Sequence, residues 1–176
     1  MAAADEGLSA VICESTDRWG GSSAMSGGGM WLPNNPVMQR EGVGDSRDEA
    51  LAYMEATIGD AGPATSRVRK EAFVDSVADF VNTAESFGMK FSRGADYPDY
   101  YPELPGGKIG RALEVEPLDA HAIGDWWASS RGQDGIAFTI MTNDVWLLAR
   151  SWVTPAGMAR GAKVVGRVLG GAVKRQ

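Results

Sequence analysis

Apolar residues fall into four segments along the chain, and the spacing within each selects a different element. Leu8-Ser9-Ala10-Val11-Ile12-Cys13 is a short β-forming run behind Gly7 and predicts a strand closing on Glu14, with the alanine-rich residues before it reading as the end of a helix. Ala50, Leu51, Tyr53, Met54 and Ile58 recur at helical spacing behind the cap candidates Asp45 and Ser46; Asp48 and Glu49 occupy the first turn and Gly59 is the stop. A longer helix is predicted from about Thr65 to Phe87, where Val68, Ala72, Val77, Phe80, Val81 and Ala84 form one face, Gly88 ends it, and Phe80 and Phe87 are expected in the core. Past Pro117 come Trp126-Trp127, Trp146, Trp152 and Thr154-Pro155, and then a helix from Ala156 to about Ala172. Lys163, Arg167, Lys174 and Arg175 alternate there with Met158, Val164, Val165, Val168 and Leu169. That basic amphipathic pattern suits either a membrane surface or packing against a remainder of the protein outside this chain, and Gly161, Gly166, Gly170 and Gly171 weaken its helicity and apolar grip.

Two segments between these elements carry the candidate chemistry. In Gly20-Gly21-Ser22-Ser23-Ala24-Met25-Ser26-Gly27-Gly28-Gly29-Met30-Trp31-Leu32-Pro33, the glycines have no side chain to fend off a ligand and can turn backbone N–H groups toward an anion or a ring edge. Ser22, Ser23 and Ser26 add hydroxyl donors. A flexible glycine linker is the alternative, against which stand Trp31, Leu32 and Pro33, residues of little use to a solvated linker. Glu14 stands where the acid ending the second strand of a dinucleotide-binding βαβ unit meets ribose hydroxyls, although the residues ahead of it are too few to hold a first strand and its G-x-G-x-x-G turn. The second segment, 94–110, gathers Tyr97, Tyr100 and Tyr101 among prolines and glycines, which predicts an ordered loop with aromatic surface. The rings either face a ligand or staple the loop to the helices, since each buried phenol needs a partner for its hydroxyl.

Composition narrows the classes. The chain has 176 residues, 44% of them hydrophobic, enough for one ordinary core. A net charge of −6 argues against nucleic-acid binding, which needs clustered Lys and Arg. One cysteine, Cys13, rules out an internal disulfide framework and is expected as a buried thiol on the predicted strand; one histidine, His121, gives no metal set. No apolar run reaches the ~18 residues of a membrane span and no signal-peptide pattern opens the chain, so a cytoplasmic location is expected, with the C-terminal basic helix as the segment that could lie on a membrane.

Glu14, Gly20 to Ala24 and Ser26 to Asn35 together resemble the FAD-dependent flavoproteins of the fumarate reductase and succinate dehydrogenase type, and among them the 3-ketosteroid Δ1-dehydrogenases. The similarity continues through Asp45 to Tyr53 and through Tyr97-Pro98-Asp99-Tyr100-Tyr101-Pro102-Glu103-Leu104-Pro105-Gly106-Gly107, and is looser past Asp119. The resemblance implies FAD as cofactor, with Glu14, Gly20, Gly21, Ser22, Ser23, Ser26, Gly27, Gly28 and Gly29 binding it. It also implies a steroid-like small-molecule substrate, and a tyrosine at that substrate which maps to Tyr100. The reaction implied is dehydrogenation of a carbon pair beside a ketone, a proton passing to a tyrosine base and a hydride to the flavin. A flavoprotein reductase of fumarate-like acids, and an inactive fragment that needs a partner, are the alternatives.

The fold expected from all this is α/β: a partial Rossmann-like FAD-binding unit over 1–35, and over 36–176 a mostly helical extension with the tyrosine-rich loop facing the substrate. Members of the resembled family are longer, so the chain alone is expected to hold FAD weakly or not at all, with the remainder of the flavoprotein as a candidate partner chain.

Overall fold

The computed structural model describes residues 2–134, 141, 144, 145, 148 and 154–174; Trp146, Trp152 and Arg175 lie outside them. A short helix α1 (Ala2–Asp5) is followed by a long irregular stretch to strand β1 (Met30–Trp31). Helices α2 (Pro36–Arg40), α3 (Arg47–Ile58) and α4 (Arg67–Ser86) come next, then strands β2 (Phe91–Arg93) and β3 (Ala112–Val115), and helix α5 (Pro155–Lys174). The strands form one antiparallel sheet in the order β1-β3-β2, with Met30 opposite Leu113 and Ser92 opposite Glu114. The described residues are therefore helix-rich with a small sheet, as expected, but that sheet is antiparallel.

The expected strand at 8–13 is absent. Val11 and Ile12 are 88% and 93% exposed, and Cys13 is exposed rather than buried. A strand needs a neighbour to take up its N–H and C=O groups, and among the described residues none pairs with this run.

The central helices form where the pattern put them, for local reasons. Ser46 caps α3: its hydroxyl accepts from the Glu49 amide at 3.2 Å and donates to the Glu49 carboxylate at 3.0 Å, while Gly59 takes φ +60 at the C-terminus. On α4 the buried face runs Lys70, Val74, Val77, Val81, Ala84, alternating steps of four and three. Phe80 and Phe87 fall one position off that stripe and are 47% and 38% exposed, so they are not core; Val68 and Ala72 also face water. The core has two parts. Leu32, Val37, Val77, Val81 and Leu113 pack the sheet on α2 and α4, and Ala50, Leu51, Met54 and Val74 join α3 to α4 under Trp31.

In α5, Arg160 and Arg167 reach Asp144, which is fully buried, and Val164 packs inward on the same face. Met158, Val165 and Leu169 look outward. No helix among the described residues is long and apolar enough to cross a membrane.

Candidate functional site

A cleft of about 550 Å³ opens between the end of the glycine segment and the tyrosine-rich loop. Ser26, Gly27 and Gly29 line it together with Tyr97, Tyr100 and Tyr101, and Trp31, Met54 and Ile58 add apolar surface. The floor comes from β3. Side chains alternate along a strand, so Leu113 enters the core while Ala112 and Glu114 look into the cleft.

The tyrosine loop is held from both ends and from beneath. Asp99 donates its amide to the Lys108 carbonyl at 2.8 Å, and Gly110 donates to the Tyr97 carbonyl at 2.8 Å, closing the loop as a narrow hairpin. Its turn lies against α3: a β-carbon on Gly106, which has φ +75, would overlap the Glu49 carbonyl and come within 2.7 Å of the Tyr53 amide nitrogen. Only glycine lets the two backbones approach this far.

Beneath the loop lies a buried ionic knot. Arg111 is fully buried and binds Asp45 through Nε and Nη2, both at 2.8 Å, and Asp99 through Nη1 at 2.9 Å; the same Nη1 donates to the Gly106 carbonyl at 2.8 Å. Its guanidinium lies 5.6 Å from the Trp31 ring centroid and 5.8 Å from that of Tyr53. Trp31 Nε1 donates to Asp99 Oδ1 at 2.8 Å, and the Tyr101 amide donates to the Tyr53 hydroxyl at 3.1 Å. Burial opposes ionisation of Asp45, yet Arg111 and the amides of Asn34 and Ser46 outweigh it and hold the carboxyl below its ordinary range. Trp31 and Tyr53, which line the cleft, are thus held between the buried Arg111 and the loop.

Tyr100 stands at the lip, 84% exposed and reachable by a ligand. Tyr97 sits deeper. Burial raises its hydroxyl above the ordinary pKa, and its hydrogen bond with Tyr100 and the charge of Glu114 push the same way. Burial thus favours the protonated phenol at Tyr97.

The expected cofactor residues divide. Ser26, Gly27 and Gly29 line the cleft, and Gly28 lies between them at φ +77. β-carbons on Gly27 and Gly28 would meet nothing within 4 Å, so a bare backbone faces open space that a large flat ligand can occupy; this fits FAD lying against the segment. Glu14, Gly20, Gly21, Ser22 and Ser23 are outside the cleft lining. Glu14 Oε1 accepts from the Ser15 and Thr16 amides at 2.7 and 3.2 Å, and these bonds lower its carboxyl pKa. The adjoining Trp19 pairs with Ser130, which carries the first glycine pair toward the C-terminal half. Sequence reasoning missed Glu114 and the Arg111 knot. The signal available for Glu114 was one acid inside the short apolar run 112–115.

All 176 residues match the FAD binding domain family, and the chain belongs to that family. A 3-oxosteroid 1-dehydrogenase of Mycolicibacterium smegmatis is 37% identical to it over 182 residues, covering 98% of this chain and 31% of the relative. One from Mycobacterium tuberculosis is 33% identical over 96% of this chain and 30% of its own length. The crystal structure of 3-ketosteroid Δ1-dehydrogenase from Sterolibacterium denitrificans in complex with 1,4-androstadiene-3,17-dione superposes with a TM-score of 0.78 at 32% identity, over 94% of this chain and 29% of that one. The chain thus spans about a third of the length of these relatives.

Proposed function

We propose that this chain, as a member of the FAD-binding family, works in the FAD-dependent dehydrogenation of a 3-oxosteroid-like ring ketone. The observation that carries the reading is that one cleft is lined by both the glycine segment and the tyrosine-rich loop, bringing cofactor-type backbone and phenols together. The whole-length activity of the relatives named above supports the substrate class. Residues 1–35 would then belong to a Rossmann-like cofactor unit and 36–176 to the substrate-facing extension.

When bound, FAD supplies the hydride acceptor. The chain's own residues would do the rest of what is proposed here. Ser26 and the Gly27–Gly29 backbone would hold the flavin edge, Trp31, Met54 and Ile58 would exclude water from the apolar rings of the substrate, and Tyr100 would move a proton at the substrate carbon. Tyr97, held protonated, would orient the Tyr100 hydroxyl. Among the described residues, the lining carries no Lys or Arg to clamp a carboxylate, which favours a ketone over a fumarate-like acid.

The test is anaerobic mixing of a 3-oxosteroid with a complete flavoprotein rebuilt around this segment and loaded with FAD. Bleaching of the flavin is expected, and Tyr100→Phe should slow it by roughly 10- to 10⁴-fold while leaving flavin affinity unchanged. No bleaching by the parent, with reoxidation of the reduced flavin by fumarate-like acids instead, would overturn the substrate class; equal rates for Tyr100→Phe would overturn its role.

A further inference from the structure

Tyr100 is 84% exposed, so packing does not decide where its phenol stands, and the bonds made by its two chain neighbours take on that task. The residue before it, Asp99, is buried: its Oδ1 accepts from Trp31 Nε1 at 2.8 Å, while Oδ2 accepts from Arg111 Nη1 at 2.9 Å and from the Lys108 amide at 3.0 Å. The residue after it, Tyr101, donates its amide to the Tyr53 hydroxyl at 3.1 Å. Trp31 and Tyr53 are themselves held. Tyr53 is buried on α3 with its ring centroid 5.7 Å from that of Trp31, and Trp31 stacks on Phe73 of α4 at 5.9 Å with the ring planes 6° apart. A loop residue tied through one neighbour can swing about its own φ and ψ. Tied through both, its backbone stays in place and only the side-chain rotamers are left to it.

We propose that Tyr53 and Trp31 are positioning residues for Tyr100, which place its hydroxyl at the substrate by tying down the backbone on either side of it. The inference rests on the proposed role of Tyr100 in moving the proton. The exposure that lets a ligand reach Tyr100 also deprives it of packing, and the two ties to packed aromatic side chains supply the missing constraint. A misplacement of about 1 Å at a reacting group costs on the order of 100-fold in rate. Loss of one tie therefore slows the proton step and leaves the affinity for the ligand nearly alone.

The experiment has two arms. In the first, ¹⁵N relaxation of this chain gives amide order parameters for the unmodified protein and for Tyr53→Phe, which removes one hydroxyl and keeps the ring. Tyr100 and Tyr101 are expected near the ~0.85 of rigid backbone in the unmodified protein and below about 0.6 in the variant. Values below about 0.6 already in the unmodified protein, or no change in Tyr53→Phe, would overturn the proposal. The first of these outcomes needs no variant, so a poorly folding Tyr53→Phe does not shield it. In the second arm, single-turnover flavin bleaching by a 3-oxosteroid is measured in the rebuilt flavoprotein as a double-mutant cycle with Tyr100→Phe. Tyr53→Phe should slow the rate at saturating steroid roughly 10- to 100-fold with steroid affinity held within about threefold. In the Tyr100→Phe background it should add less than about twofold, because the hydroxyl it positions is already gone. Trp31→Phe, which takes away the indole N–H, should show the same dependence on background. Equal slowing in both backgrounds is what a merely structural role gives, and it would overturn the proposal. No bleaching by the parent, with the order parameters as expected, counts against the steroid reading and leaves the ties standing; bleaching with a loose Tyr100 does the reverse.

Discussion

Removing the guanidinium of Arg111 should be among the most damaging single changes in this protein. Arg111→Met keeps much of the volume and the contact with Trp31 and Tyr53, but it strips the charge partner from two carboxylates that are themselves 0% and 2% exposed, Asp45 and Asp99. Asp45 keeps only the amides of Asn34 and Ser46 and the Lys108 ammonium at 3.7 Å; Asp99 keeps Trp31 Nε1 and the Lys108 amide. Breaking a buried pair from one side costs about 3–5 kcal/mol, a large part of the roughly 5–15 kcal/mol available to a domain. Arg40→Met, which breaks the exposed pair with Glu85, is the control and should cost about 1 kcal/mol or less. Urea denaturation followed by tryptophan fluorescence reads both. The pH dependence adds a second constraint. Because the folded carboxyl of Asp45 lies below its ordinary 3.8, its stabilisation is present above that pH and is lost as pH falls through the folded value. Without Arg111 the burial of Asp45 is no longer offset, so protonation relieves the variant where it harms the parent. The gap between the two should be widest near pH 7 and narrow below about 4. A cost under about 1 kcal/mol, or a gap that widens with acid, would refute this reading of the knot.

Gly106→Ala should cost roughly 2–4 kcal/mol, combining a left-handed backbone with overlap against α3, and should speed amide exchange in the tyrosine loop; an unchanged urea midpoint would contradict the packing described. Ser46→Ala removes the cap of α3 and should cost about 1 kcal/mol, read in the same assay. In a complete flavoprotein rebuilt around this segment, Glu14→Ala should leave folding untouched, since the side chain is exposed, yet weaken FAD binding through loss of a hydrogen bond to the ribose; a flavin titration with unchanged affinity would remove Glu14 from the cofactor site.

What the sequence made legible was whatever is decided within a few residues. The Ser46 cap, the Gly59 stop and the α4 stripe through Val77, Val81 and Ala84 are local matters of dihedral angle and spacing, and they appear as read. Phe80 and Phe87 misled because bulk and hydrophobicity argue for burial whereas the helical phase, one position off the stripe, decides against it. The run 8–13 misled because its β-formers state a preference that only a neighbouring strand can satisfy. In the candidate site, the glycine segment and the tyrosine loop were each visible alone. That they line one cleft depends on β1 and β2 pairing with β3, contacts between residues some 80 apart such as Met30 and Leu113, which no local pattern encodes. The Arg111 knot was hidden for the same reason, since Asp45, Asp99 and Arg111 look like ordinary surface charges until the fold buries them together.

The central claim is that the glycine segment and the tyrosine-rich loop form one ligand cleft. It is tested most directly by titrating the ¹⁵N-labelled protein with a 3-oxosteroid and mapping the amide shifts. The expected result is saturable shifts at Ser26, Gly27 and Gly29 of the glycine segment and at Tyr97, Tyr100 and Tyr101 of the loop, with a common binding constant. Shifts confined to one of the two segments, shifts centred on the separate hollow around Lys70 and Gly62, or none at saturating steroid would contradict it.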